Sequence, residues 1–385
     1  MPEKAAYSDQ TLFSTPNSSF VISEFESRVS SFLYNYIKDT PLLAAVSGGA
    51  DSMSLLAALC TLKDSGLINK NALFCAHVEH GLRPANESCG DADFVSGFCA
   101  SCGIECRIEH IPAGKINQFA KRKGIGIEAA ARFFRHRFLL REAKRLDNNG
   151  KKTCIFLAHT KDDLLETALM RILRGAGPAG LRVMPEKRGR IHRPLLSITR
   201  GDVIEYLNAK KITWREDSTN NDEKFLRNRI RRQLVPFLSE SFPEWKKGAA
   251  ALAETQSLTA DFITKEAFSR IKWDIKNDRK KRSYQSPQFI SAEEENFFLQ
   301  PQIIREEAVF SVINMISSSE SSRNVSFKSI KRSVVRQFCS GAVKAADLGP
   351  VRIKREKGQI MLSCTQKEFF ESGVSHLVKE SPLTP

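Results

Sequence analysis

Apolar positions along this chain change period in a regular way. Residues 42–46 form a short unbroken apolar run, the pattern of a strand buried on both faces, and residues 50–62 are rich in Leu and Ala, as a helix would be. The strand signature returns at 72–78, followed by a polar loop and a helix over about 87–102. Residues 105–111 alternate like a third strand, 126–146 read as a long basic helix, 153–158 as a fourth strand and 162–173 as a helix. Val21, Phe25, Val29, Phe32, Leu33 and Ile37 stand at helical spacing and predict a lead-in helix over 21–37. Such alternation implies right-handed crossovers, hence an α/β fold with a parallel sheet and helices on both faces. Ligands in such sheets sit beyond the carboxyl ends of the strands.

Beyond about Arg200 the strand signature fades. Residues 199–208, 224–238, 245–273 and 303–317 read as helices, with a polar connector at 212–221 and a charged break at 276–287. The stretch 324–339 is basic and amphipathic, and 351–363 reads as a small hairpin turning at Lys357-Gly358. The expected division is a loose tail over 1–20, an α/β domain over 21–222, a helical domain over 223–318, and a small basic α+β domain with a tail over 319–385. No internal repeat is visible.

Composition narrows the function classes. The 385 residues carry 59 Lys plus Arg against 44 Asp plus Glu, a formal net charge of +15, which favours a polyanionic partner, nucleic acid first. No apolar run approaches the ~20 residues that span a bilayer, so no membrane partner is expected. The charged N-terminus lacks an apolar signal core, so the expected location is cytoplasmic. The nine cysteines, an odd number, then stay reduced. Cys99-Ala-Ser-Cys102, with Cys89 and Cys106 nearby, has no second C-x-x-C and reads as a helix face rather than a metal site.

Polar clusters stand at the predicted strand ends. After the first comes Ser47-Gly48-Gly49-Ala50-Asp51-Ser52. A strand turning through glycines into a helix presents free N–H groups and a positive dipole end, a natural phosphate site, and Asp51 is placed to hold Mg2+. The loop has neither the Lys-Ser/Thr ending of a Walker loop nor G-x-G-x-x-G. After the second strand, His77-Val78-Glu79-His80-Gly81-Leu82-Arg83 suggests a turn that orients a nucleotide, with structural roles for both rings. After the third strand, the long basic helix carries Glu128-Ala129-Ala130-Ala131-Arg132-Phe133-Phe134-Arg135, whose Arg132 and Arg135 point to one side. A guanidinium there would stabilise charge on a phosphate. After the fourth strand comes His159-Thr160-Lys161-Asp162-Asp163-Leu164-Leu165-Glu166-Thr167. Asp162 and Asp163 have an alternative reading as helix caps. Asp163 and Glu166 share a face suited to an ammonium group, and His159 suits a general base. Leu173-Arg174-Gly175-Ala176-Gly177 is a basic Gly-rich loop.

The first of these strings resembles the S-G-G-x-D-S signature of the ATP-pyrophosphatase (PP-loop) superfamily. With Arg193-Pro194-Leu195-Leu196, Glu216-Asp217-Ser218-Thr219-Asn220 and Arg227-Asn228-Arg229-Ile230-Arg231, the ordered set from about 42 to 240 resembles the bacterial tRNA(Ile)-lysidine synthetases. That resemblance implies an adenine nucleotide α-hydrolase-like PP-loop domain. It implies ATP-dependent transfer of L-lysine to the first anticodon cytidine of tRNA(Ile) with anticodon CAU. ATP would be a substrate, with Mg2+ on Asp51. Ser47, Gly48, Gly49, Ala50, Asp51 and Ser52 would bind ATP, Asp51, Arg132 and His159 would serve catalysis, and Asp163 and Glu166 would hold lysine. Arg174, Arg227, Arg229, Arg231 and Arg232 would contact tRNA, with the helical domain as a tRNA clamp. The reading leaves room for a homodimer. Many relatives read His-His where this chain has His159-Thr160. Rival readings are a PP-loop tRNA thiolase, which needs a nucleophilic Cys or cluster-binding pairs beside the loop, and a non-catalytic basic tRNA-binding module.

Overall fold

The structure, a computed structural model, describes residues 22–34, 40–82, 85–148, 150–182, 184–216, 226–276, 289–318, 330–348 and 351–364. The expected tail over 1–20, Arg83, Cys89's side chain, the 217–220 part of the Glu216 motif and most of the 276–287 break lie outside the described residues. The chain divides into two compact units, Met1–Arg174 with Val183–Ala250, and Gly175–Arg182 with Ala251–Pro385.

In the first unit, α1 (Glu24–Tyr34) leads into β1 (Leu42–Ala45), α2 (Ala50–Asp64), β2 (Leu73–Glu79), α3 (Ala85–Ser101) and β3 (Glu105–His110). Then come α4 (Lys115–Lys123), α5 (Ile127–Arg145), β4 (Cys154–Leu157) and α6 (Lys161–Leu173). The sheet order among described residues is β3-β2-β1-β4, extended by two short strands, β5 (Lys187–Arg188) and β6 (Ile191–His192), in the order β6-β5 after β4. Every pairing is parallel except β5 with β6. Leu42, Leu43, Ala44 and Phe156 have no exposed surface, which is what the unbroken apolar runs require of strands covered on both faces.

Two features were not legible as elements. Helix α4 is short and strongly basic, and β5 and β6 are two residues each, too brief for any period to register. After α8 (Arg200–Ala209), a chain turn brings residues 212–216 back to the first loop, where Arg215 N donates to the Gly48 carbonyl at 2.9 Å. Glu26 is buried on α1, accepting from Tyr206 Oη at 2.8 Å and pairing with Lys210 Nζ at 2.8 Å; burial works against its charge, yet these partners hold its pKa down at about 2.

The basic segment expected as one helix over 224–238 is built of α9 (Leu226–Arg229), a π turn (Ile230–Leu234) and α10 (Val235–Ser241). It belongs to the first unit rather than to a separate helical domain beginning at 223, because its arginines are tied to acidic residues of α6. Helix α11 (Trp245–Arg270) follows, its residues from Ala251 counting with the second unit.

The second unit, which includes α7 (Pro178–Leu181), is an antiparallel sheet with helices. Its strands β7 (Asp274–Lys276), β8 (Phe289–Glu293), β9 (Ala345–Leu348), β10 (Val351–Glu356) and β11 (Gln359–Cys364) are ordered β7-β8-β11-β10-β9. Helices α12 (Glu294–Leu299), α13 (Gln302–Ser318) and α14 (Arg332–Cys339) supply Phe297, Val309 and Phe338 to one core with Ile353 and Leu362. The hairpin turn places Lys357 at φ 50° and Gly358 at φ 73°, the two left-handed residues of a type I′ turn. Because β7 and β8 complete this sheet, residues 251–318 and 345–364 form one unit instead of two.

Candidate active site

Strand order places the site. The chain lays β2 and β3 on one side of β1 and then crosses to put β4 on the other, so the loops after β1 and β4 diverge and leave a crevice between them. A cleft of about 1110 Å³ opens there, lined by both loops and by the α9–α10 segment.

The β1 loop is shaped by its glycines and serines. Gly48 adopts φ +90°, open to glycine and strained for other residues. Gly49 stands at the N-cap of α2 without a side-chain cap, so the first-turn N–H groups of that helix are unclaimed by one. Ser52 Oγ donates to the Gly49 carbonyl at 2.9 Å and accepts from Ser47 N at 3.1 Å, closing the loop on itself. At the neighbouring strand end, His77 Nδ1 donates to the Val46 carbonyl at 2.9 Å. Asp51 lines the cleft and pairs with Arg200 from the start of α8. Burial pushes its carboxyl above the ordinary range, against the pull of Arg200.

The β4 loop begins α6 with a capping box. Thr160 accepts from Asp163 N at 3.4 Å, and Asp163 Oδ2 accepts from Thr160 N at 3.0 Å. Thr160, only 2% exposed, is thus the N-cap, and Asp163 is the third residue of the helix. Asp162 instead accepts from Arg200 N at 2.7 Å. His159 lines the cleft with its Nδ1 buried and lacking a hydrogen-bond partner among the described residues. Burial lowers its pKa to about 4; Asp163 opposes that shift, and Arg193, Arg135 and Arg132 add to it.

Asp163 and Glu166 are buried together, as their spacing on one helix face requires. Arg227 donates through Nε to Glu166 Oε2 at 2.9 Å and through Nη2 to Asp163 Oδ1 at 2.6 Å. Arg231 donates through Nε to Glu166 Oε1 at 2.6 Å and through Nη2 to Glu166 Oε2 at 3.0 Å and Asp163 Oδ1 at 3.3 Å. Burial works against the charge on Arg231, but the Glu166 and Asp163 carboxylates raise its pKa overall.

The fold gathers Ser47, Gly49, Ala50, Asp51, Ser52, His159, Asp163, Glu166, Arg227, Arg231 and Arg232 around this one cleft, with Gly48 making its turn. Arg132, Arg174 and Arg229 are exposed and do not line it. One turn along α5 from Arg132, Arg135 does, its pKa lowered to about 10 by burial and then by Arg132. Sequence reasoning missed Arg200, Arg215 and Lys246. Arg215 Nε donates to Asp91 Oδ1 at 3.1 Å beside the Gly48 turn, and Lys246 lies 3.8 Å from Asp162. No local spacing signals them, since the acidic ion-pair partner of each lies more than 80 residues away in sequence. The cysteines gather elsewhere: Cys75, Cys99 and Cys106 bring their sulfurs within 4.8 Å of one another where β2 pairs with β3 under α3. The pairing is across strands, so spacing along the chain did not reveal it.

A family model described as a PP-loop domain matches residues 21–238. The chain is 40% identical over 230 residues to a tRNA(Ile)-lysidine synthase of Treponema denticola, covering 58% of this chain and 48% of that protein. It is 39% identical over 213 residues to a tRNA(Ile)-lysidine synthase of Deinococcus radiodurans, covering 55% of this chain and 33% of that one. For the tRNA(Ile)-lysidine synthase of Thermosipho africanus the figures are 35% over 240 residues, 61% and 53%. The matched region thus spans about half or less of the length of these relatives.

Proposed function

The chain belongs to the PP-loop family, and we propose that it ligates L-lysine to the first anticodon cytidine of a tRNA(Ile) with anticodon CAU, at the expense of ATP. The cytidine O2 attacks the α-phosphorus of ATP, the bond to the β-phosphate oxygen breaks, and pyrophosphate leaves. The ε-amine of lysine then attacks C2 of the adenylated base, loses a proton, and displaces AMP. The observation that carries this reading is one cleft that joins the glycine turn at the end of β1 to a buried acidic pair at the end of β4. The named relatives support the same activity.

Each residue has a task in this reaction. The Ser47–Ser52 turn and the start of α2 bind the triphosphate through N–H groups and hydroxyls. Asp51, a cleft-facing carboxylate beside that turn, would hold a Mg2+, which would supply charge neutralisation at the triphosphate. Arg135 lines the wall of the cleft and adds a guanidinium for the charge that grows on pyrophosphate. Asp163 and Glu166 hold the ammonium of lysine. His159, neutral at pH 7, is open to the proton that the amine must lose before it attacks. Arg232, with the exposed Arg174 and Arg229, contacts tRNA phosphates. The location that suits this work is the cytoplasm.

The test is incorporation of labelled lysine into a tRNA(Ile) transcript bearing CAU, with and without ATP. ATP-dependent incorporation is expected. Incorporation of sulfur from a sulfur donor in its place would reassign the chain to thiolation.

A further inference from the structure

The acidic pair proposed to receive the substrate ammonium already holds cations of the chain itself. Five hydrogen bonds from Arg227 and Arg231 engage both carboxylates, with Glu166 only 4% exposed and Asp163 8%. Two carboxylates face two guanidiniums, so the cluster is neutral. A further cation entering it would be a buried charge without a partner, which is costly. The substrate ammonium therefore binds there as a guanidinium leaves, and the departing guanidinium, half-exposed on Arg231, is drawn to any anion that enters the cleft.

The β1 loop can supply such an anion. Arg231 lies in the same cleft as Ser47 and Ser52, and the charges of Arg231 and Asp51 act on each other across it. A triphosphate on that loop presents several oxygens that a guanidinium binds in fork geometry. Arg231 also stands on the π turn, a helical irregularity that recurs at functional sites.

We infer that Arg231, with Arg227 beside it, is a transferable counter-ion: it neutralises Asp163 and Glu166 while the nucleotide site is empty and passes to the ATP phosphates when that site fills, so that lysine binding depends on ATP. The inference rests on the reading of Asp163 and Glu166 as the ammonium site. It orders the reaction, because the amine nucleophile is admitted only once the activating nucleotide is in place. By linkage, lysine tightens ATP binding by the same factor.

Calorimetric titration of the full chain with L-lysine tests it, alone and with Mg2+ and α,β-methylene-ATP, which cannot release pyrophosphate. In the wild type the analogue should tighten lysine binding about tenfold or more, while adenosine should leave it unchanged. In R231Q, checked for folding by circular dichroism, lysine should bind equally well with and without the analogue. Wild-type lysine affinity indifferent to the analogue would overturn the inference and leave the lysine site intact. Tightening by adenosine alone, or R231Q weakening lysine in both states, would also overturn it. Absence of lysine binding in every form, with no labelled lysine entering the tRNA, would instead overturn the functional reading and the inference together.

Discussion

Three imidazoles of the first unit stay neutral well below the pH at which water would protonate them. His136, His159 and His192 each sit near pKa 4, in every case chiefly through burial, below the ~6.5 of an unfolded chain. Lowered folded-state values mean that the neutral rings stabilise the fold above about pH 6.5, and that this contribution drains away as pH falls through about 4. Urea midpoints should therefore decline between pH 6.5 and 4, and H136Q should decline less steeply over that window. A flat profile would mean that the rings are not buried as described. The two acidic positions separate by step. Asp51→Ala should abolish pyrophosphate release, whereas Glu166→Ala should retain release and lose at least tenfold in lysine transfer, as roughly expected for one lost charged contact. Equal loss of both steps would refute that division of labour. At this scale the sequence was informative wherever a motif carried its own geometry: Ser47 to Ser52, or Asp163 and Glu166 on one helix turn. It was silent on Arg200 and Arg215, whose partners are brought to them by the chain's return across the sheet. It also favoured Arg132 over Arg135, because helical spacing gives a shared face and not which of two residues meets the cleft.

Among the elements, α6 is held at its start by one local device. Thr160 supplies the hydroxyl half of a capping box and fixes the helix that displays Asp163 and Glu166. Thr160→Ala should cost about 1 kcal/mol and lower the first unit's melting temperature by roughly 2–4 °C; Thr160→Ser should recover most of it. If Ala and Ser variants melt alike, the cap is not holding α6. The short apolar runs of β1, β2 and β4, and the Lys357-Gly358 turn, were readable because one local rule decides each. The division of 226–241 from the α/β unit was misjudged for the opposite reason. A basic amphipathic segment reads as an RNA-facing helix, yet two of its arginines, though partly exposed, are bound to α6 carboxylates.

For the whole molecule the governing quantity is charge. With a net charge of +15, tRNA affinity should fall steeply with salt. A footprint of about six phosphate contacts would weaken it about 10³-fold between 50 and 200 mM, and a filter-binding series measures the slope. A shallow slope would remove the basic surface from tRNA recognition. Fold class was legible at this scale because strand–helix alternation is a global signal. The second unit's sheet was not, since β7 and β8 are short and β8 pairs with β11, some 70 residues further along. The strand order β3-β2-β1-β4 also dictates how the chain must fold. During synthesis β1, β2 and β3 emerge together, but the second neighbour of β1 begins only at Cys154. Until then an apolar strand of the sheet keeps one edge unpaired, a template for association with other nascent chains. Placing the nucleotide cleft at the reversal of strand order therefore makes its assembly a late, non-local event, and this unit should fold slowly for its size.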